Sequence, residues 1–297
     1  MRAGLTVARR SDNPAQVGRF DQKTALVSGA SSGIGLAVAE RLGAEGANLV
    51  LVAAPKDADD LERSVAMLRQ QGYPVEGLGA DIALEETAGR AVELSLSRFG
   101  GLDVLINNAG VAYYENVLDT PIEHLDRTLA VNVRGTFAMS LAAARTMAEQ
   151  RRGAIVNTAS TASSVGEEYQ VTYNTSKGAI AALTRSLAVD LAPWGIRVNA
   201  VAPGWVATRA TMPVIEDPEQ WSKHRSRIPF DRPADPKEIA AIHAFLASDD
   251  ASYVTGAIYF VDGGLTAGYR YSNWAAVENP PPGIGIPAVP ADMHGVG

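Results

Sequence analysis

The sequence predicts an α/β domain: a doubly wound, seven-stranded parallel sheet with helices on both faces. Two observations carry this reading. Short β-branched and apolar runs alternate along the chain with segments of helical periodicity, and the runs are continuously apolar. A strand covered on both faces needs such a run, and strand–helix–strand repetition with right-handed crossovers builds a parallel sheet. No internal repeat and no linker divides the body, so a single domain is expected.

The elements follow in order. The first run, residues 24–28, passes through a glycine cluster into a helical segment at 35–42. Run 48–53 ends at Ala54-Pro55 and leads to 61–70; run 75–78 leads past Asp81-Ile82 to 87–99. Run 104–106 ends in Asn107-Asn108 and precedes the longest helical segment, 122–149. Run 154–158 leads through Ser160 to 175–191, and run 197–201 ends at Pro203-Gly204. Residues 205–232 then break the pattern, holding Pro213, Pro218 and Pro229, and form a long excursion at the ligand end. Helical segment 236–247 and run 258–261 complete the body. Ligands of such a sheet bind beyond the carboxyl ends of its strands, so function is sought at these junctions.

Composition narrows the classes. The chain has 297 residues, 46% hydrophobic and 20% charged, ample for a real core. With 33 acidic against 26 basic residues the net charge is −7, and no global cationic field draws in nucleic acid. The absence of cysteine excludes disulfides, thiolate zinc sites and a cysteine nucleophile, and a reducing, cytoplasmic setting is expected. No metal site is expected either. No apolar run approaches the ~18 residues that cross a bilayer, so no membrane partner is expected. Residues 1–19 carry Arg2, Arg9, Arg10 and Arg19 without an apolar stretch and read as a flexible arm, not a secretory signal. Residues 20–264 form the body. Residues 265–297 form a Pro/Gly-rich extension, in which Tyr269, Tyr271 and Trp274 are candidate anchors over the mouth of the site.

Residues Ser28-Gly29-Ala30-Ser31-Ser32-Gly33-Ile34-Gly35 join the first strand to the first helix. Glycines let the backbone turn tightly and approach a ligand, and a helix N-terminus offers free N–H groups to a pyrophosphate. The position is the first strand–helix junction of a Rossmann-type chain, although the spacing is G-x-x-x-G-x-G and not G-x-G-x-x-G. The end of the second strand normally reads the adenosine ribose. Here Ala53-Ala54-Pro55-Lys56 offers no carboxylate, and Lys56 is the one cation, with Asp57, Asp59 and Asp60 beside it. Lys56 leans toward the 2′-phosphate of NADP over NAD; a solvated lysine at a helix start is the alternative.

Tyr173 and Lys177 lie four apart in a helical segment and project from one face. A phenol of pKa ~10 is a poor base at neutral pH, and a nearby ammonium favours its ionised form. Ser160, Asn132 and Asn108 fall at the carboxyl edge of the sheet or on the helix facing it. Each has an ordinary explanation alone: a helix-start hydroxyl, a satisfied buried amide, a turn residue. Jointly they do not.

Together these residues resemble the short-chain dehydrogenase/reductase family in its single-domain branch, over residues 20–264. The family's glycine motif normally opens with Thr; Ser28 here keeps the hydroxyl. The resemblance implies that Gly29, Ser31, Ser32, Gly33, Ile34 and Gly35 cradle the dinucleotide, with Ala54 and Lys56 at the ribose. It further implies that Asp81-Ile82 meets the adenine, that Asn108-Ala109-Gly110 lines the cofactor side, and that Pro203-Gly204, Val206 and Thr208 reach the nicotinamide. By the same resemblance Tyr173 exchanges a proton with the substrate, and Lys177 lowers its pKa and holds the ribose. Ser160 would bond the reacting oxygen, and Asn132 would hold a water linking Lys177 to solvent. A homotetramer or homodimer joined through 122–149 and 175–191 is implied as well.

The activity so implied is NAD(P)-dependent interconversion of a secondary alcohol and a ketone, the substrate a polyol, a sugar derivative or a cyclic alcohol. Tyr113, Tyr169 and Trp205 are candidate substrate contacts, with Tyr114 and residues 167–170 nearby. Glu167 and Glu168 would repel an anion, whereas Arg209, Lys223, Arg225 and Arg227 would attract one. A 3-oxoacyl thioester reductase is the alternative substrate class, and a non-catalytic nicotinamide-sensing protein the alternative of a different kind. The sensor has no need to keep Ser160, Tyr173, Lys177 and Asn132 together.

Overall fold

Each predicted run forms a strand in the computed structural model, which describes residues 18–268. The strands are β1 (Thr24–Ser28), β2 (Asn48–Ala53), β3 (Val75–Gly79), β4 (Val104–Asn107), β5 (Gly153–Thr158), β6 (Ile196–Pro203) and β7 (Ile258–Val261). All pair in parallel, in the order β3-β2-β1-β4-β5-β6-β7. The winding direction reverses between β1 and β4, and there a doubly wound sheet opens a crevice for a ligand.

The helices are α1 (Gly33–Ala44), α2 (Ala58–Gln70), α3 (Glu85–Phe99), α4 (Ile122–Thr128), α5 (Thr136–Gln150), α6 (Val171–Leu191), α7 (Met212–Ile215), α8 (Pro218–Arg225) and α9 (Pro236–Ala247). Alternate residues of β1 and β2 enter two separate cores. Val27, Leu49 and Leu51 pack with Leu42, Val65 and Ile239 from α1, α2 and α9. Leu26, Val50 and Val52 pack with Ala91, Met139 and Ala188 from α3, α5 and α6. Full burial of one such side chain contributes about 1.5–3 kcal/mol, and both faces of the inner strands collect it. The edges depart from the expectation of continuous burial. β3 alternates, and β7 leaves Tyr259 and Phe260 partly exposed, because an edge strand has fewer helices to cover it.

Two expected segments come out differently. The helix expected over 122–149 divides into α4, a wide π-helical turn at Leu129–Gly135 containing Asn132, and α5. The excursion at 205–232 is not irregular throughout: it folds into α7 and α8, and the Asp217 carboxylate caps α8 at Glu219 N (3.0 Å) and Gln220 N (3.1 Å). Arg19, the last residue of the expected arm, already pairs with Glu45 (2.6 Å) and Asp250 (3.0 Å). Tyr269, Tyr271, Trp274, the proline-rich end and residues 1–17 lie outside the described residues. Among the described residues no helix is long and apolar enough to cross a membrane.

Candidate active site

The glycine turn is dictated by contacts on both sides. A Cβ on Gly29 would lie 2.7 Å from Ala109 Cα, and one on Gly35 would lie 2.2 Å from Gly29 O; Gly29 also has φ +65°. Only hydrogen fits at either place. The Ser28 hydroxyl accepts from the N–H of Asn108 (3.1 Å) and of Ala109 (3.2 Å), and Asn108 Nδ2 donates to Gly29 O (3.1 Å). The end of β4 thereby holds the turn at the switch point.

The start of α1 suits a pyrophosphate. Its N-cap, Ser32, makes no side-chain capping bond, and its first turn has no acidic residue. By contrast, Asp235 and Glu238 form a complete capping box on α9. Orphan N–H groups at a helix start need an acceptor, and a phosphate supplies one. Thr208 approaches from the opposite wall, its methyl 3.3 Å from the point where a Gly33 Cβ would lie.

Beside this turn runs a cleft of 470 Å³ lined by Gly29, Ser31, Ala54, Lys56, Asp81, Ile82, Ala109 and Gly110, together with Arg127. Burial pushes the Asp81 carboxyl up, but the Ala83 N–H, Arg127 (2.8 Å) and Lys56 outweigh it and leave it below the usual range. Arg209 binds both Asp57 (3.3 Å) and Asp60, so two of the three acids beside Lys56 are already engaged. Tyr113 also lines this cleft and is stacked on His124, with ring centroids 3.8 Å apart. The stack turns it away from the pocket where a substrate contact was expected.

An adjoining cavity of 250 Å³ shares Gly110 and Val111 with the cleft and is lined by Ile34, Asn108, Ser160, Tyr173, Lys177, Pro203, Gly204, Val206 and Thr208. A smaller recess shares Tyr114, Ser160 and Tyr173 with it and adds Thr161, Glu167, Gln170 and Trp205. Trp205 is thus at the pocket as expected. Tyr169 is not: it sits at φ +60° on the loop before α6, with 61% of its surface exposed.

Lys177 is buried, donates from Nζ to Thr158 O (2.7 Å), and has burial pushing its pKa down to about 8. Its Nζ lies 5.4 Å from the centroid of the Tyr173 ring. Burial also pushes the Tyr173 phenol above its ordinary value; a hydrogen bond with Ser160 opposes this, and Tyr114 and Glu167 add to it. Desolvation outweighs the Ser160 bond, so the phenol of the free protein is held protonated at neutral pH.

Asn132 stands behind the pocket, fully enclosed. Its Oδ1 accepts from Val111 N (2.8 Å), and its Nδ2 donates to Val111 O (2.9 Å) and Ser176 Oγ (2.9 Å). Both amide protons are engaged by the protein, so this side chain braces the loop after β4. Two participants were missed in the sequence. Thr158, whose carbonyl holds Lys177, looks like an ordinary strand residue; Arg127 reaches Asp81 only once α4 packs by the sheet edge.

This architecture defines a dinucleotide-binding oxidoreductase with a Ser–Tyr–Lys pocket. A family model described as Enoyl-(Acyl carrier protein) reductase matches residues 29–266. Glucose 1-dehydrogenase 2 of Bacillus subtilis is 39% identical over 246 residues, covering 82% of this chain and 95% of that protein. L-rhamnose 1-dehydrogenase (NAD(P)(+)) of Azotobacter vinelandii is 39% identical over 249 residues, covering 82% and 96%. The crystal structure of levodione reductase aligns with a TM-score of 0.80 at 34% identity, covering 84% of this chain and 100% of that one. The chain belongs to the short-chain dehydrogenase/reductase family and is an NAD(P)-dependent dehydrogenase/reductase.

Proposed function

We propose that this enzyme interconverts a secondary alcohol and a ketone on a sugar derivative, a polyol or a cyclic alcohol, with Tyr173 as the proton-exchanging group. The observation carrying this is that Ser160, Tyr173 and Lys177 line one cavity that shares walls with the dinucleotide cleft. The nicotinamide, when bound, supplies or accepts the hydride. The Ser160 hydroxyl bonds to Tyr173, and its Oγ accepts from Ala162 N (3.1 Å), which fixes it beside the reacting oxygen. There it stabilises negative charge as the carbonyl is reduced. Tyr173, kept protonated by burial, delivers a proton to that oxygen and recovers one in the reverse direction. Lys177, fixed by Thr158 O, faces the Tyr173 ring and offers its remaining protons toward a ribose.

Names of the relatives favour this substrate range: two act on glucose and rhamnose, and one on levodione. An acyl-carrier thioester is disfavoured because three of the four candidate cations of the excursion, all but Arg227, have acidic partners. Arg209 binds Asp57 and Asp60, Lys223 binds Glu219 (3.1 Å) and Arg225 binds Asp231. NADP is the preferred cofactor in this reading, supported by Lys56 and by the engagement of its acidic neighbours with Arg209. Exposed Phe137 and Leu141 on α5 and Val189 on α6 support a homotetramer or homodimer joined through these helices. A cytoplasmic setting is supported by the cysteine-free composition. The test is a panel of alcohols and ketones followed at the nicotinamide absorbance with both cofactors. Cofactor binding without turnover of any member would remove this substrate range.

A further inference from the structure

The pocket holds a carboxylate that hydride and proton transfer do not use. Glu167, on the loop between β5 and α6, lines the same inner recess as Ser160, Tyr173 and Trp205. Three bonds fix it: Thr161 Oγ1 donates to Oε1 (3.1 Å), Gln170 Nε2 donates to Oε2 (3.0 Å), and Asn174 Nδ2 donates to its main-chain oxygen (2.8 Å). Thr161 and Gln170 are 2% and 7% exposed, so the carboxylate cannot swing out without leaving buried donors unpaired. Each carboxylate oxygen keeps accepting capacity after these bonds.

Its charge reaches the reacting groups, since it helps to raise the phenols of Tyr173 and Tyr114. Of the neighbouring cations, Lys177, Lys223 and Arg225 are engaged elsewhere, and Arg227 acts on His224. His224 lies against Trp205, with ring centroids 4.2 Å apart, and is held below its ordinary pKa by burial, then by Arg227, so the ring is neutral at pH 7. Lys223 is bonded to Glu219 and Arg225 to Asp231, while Lys177 is held at Thr158 on the cofactor side. A substrate therefore meets a fixed, negatively charged acceptor beside the proton donor.

We infer that Glu167 is a specificity-determining residue: it accepts a hydrogen bond from a substrate hydroxyl near the reacting carbon, selecting uncharged polyhydroxy compounds and rejecting sugar acids. This rests on the oxidoreductase reading above and narrows its substrate class. A hydroxyl donates to the carboxylate, whereas a second carboxylate has no proton to give and meets like charge in a partly desolvated recess.

The experiment compares kcat/KM for matched pairs, an aldose or cyclic polyol against the acid of the same carbon skeleton, in the wild type, Glu167→Gln and Glu167→Asp. The wild type is expected to favour the neutral member by about a hundredfold. Glu167→Gln loses about tenfold on the neutral member and gains about tenfold on the acid, while Glu167→Asp, which keeps the charge, still rejects the acid. Titration of nicotinamide fluorescence shows that each variant retains a folded cofactor cleft. An unchanged neutral-to-acid ratio in Glu167→Gln, or a wild type that prefers the acid, overturns the role of Glu167 alone. Absence of turnover with every pair removes the sugar and polyol substrate reading, and this inference with it.

Discussion

The two ends of the sheet differ in what their polar groups do. At the amino end lies a cavity of 360 Å³, larger than the 250 Å³ catalytic pocket, lined by Asp21, Lys23, Asp103, Arg152, Arg197 and Asp249. Its charges answer one another: Lys23 pairs with Asp249 (2.8 Å) and Arg152 with Asp103 (3.2 Å). Asp103 also accepts from Thr24 N (3.0 Å), and Arg197 donates to the carbonyls of Leu246 (2.7 Å) and Ser248 (2.8 Å), closing the end of α9. At the carboxyl end the start of α1 has no side-chain cap, and Ser160, Tyr173 and Glu167 keep hydrogen-bonding capacity toward the pocket. Unused polar capacity, not cavity size, marks the site.

Substitutions at the two ends should therefore separate activity from stability. The largest effect is expected for Tyr173→Phe. Losing the proton donor should lower turnover by about 10²–10⁴-fold while the dissociation constant of the cofactor changes little, read by steady-state kinetics and fluorescence titration. Substantial surviving activity would assign the proton transfer elsewhere.

The raised phenol makes the second prediction. Alcohol oxidation needs the deprotonated form, whose fraction grows about tenfold per pH unit while pH stays below the pKa. Burial sets that pKa above the ordinary value, so kcat/KM for oxidation should climb steadily from pH 6 to 9. Ketone reduction needs the protonated form and should be flat from pH 6 to 7.5. A bend near pH 8 is expected where Lys177 loses its charge. Oxidation independent of pH over this range would show that the phenol is already ionised.

A third, smaller effect concerns the rim of the cleft. Lys56→Ala should weaken NADP binding about tenfold and NAD binding far less, because one charge facing a 2′-phosphate is removed. Equal losses for both cofactors would make Lys56 a solvated bystander. The smallest effect belongs to the amino end. Arg152→Ala breaks an ion pair in which the arginine side chain is 74% exposed, and should cost under about 1 kcal/mol in denaturant unfolding without altering kinetics. A kinetic defect there would contradict the division of labour between the two ends.

Most of the frame was legible in the chain. Apolar runs located all seven strands, since burial on both faces demands such residues. Helical spacing brought Tyr173 and Lys177 to one face, and Ser160 follows the end of β5. Tyr113 and Tyr169 were misjudged, because adjacency in sequence does not say which side of a loop a ring takes. Tyr113 is claimed by His124, and Tyr169 turns outward where the backbone adopts a positive φ. Asn132 stands among the residues that the sequence places at the site, but the wide turn around it and its clasp on Val111 were not foreseeable from spacing.

The sequence by itself determined the sheet, the glycine turn at its switch point and the placement of Tyr173 and Lys177 on one helix face, because these depend on local propensity and short periodicities. Only the tertiary structure decided the state of that pair. The pKa of Tyr173 depends on how much water packing removes, and the position of Lys177 depends on a carbonyl 19 residues away on another element. The same holds for Arg209, which crosses from the excursion to the acids beside Lys56, 149 residues away at Asp60. Desolvation and long-range charge pairing are sums over neighbours that the fold assembles, and no local pattern in the chain encodes them.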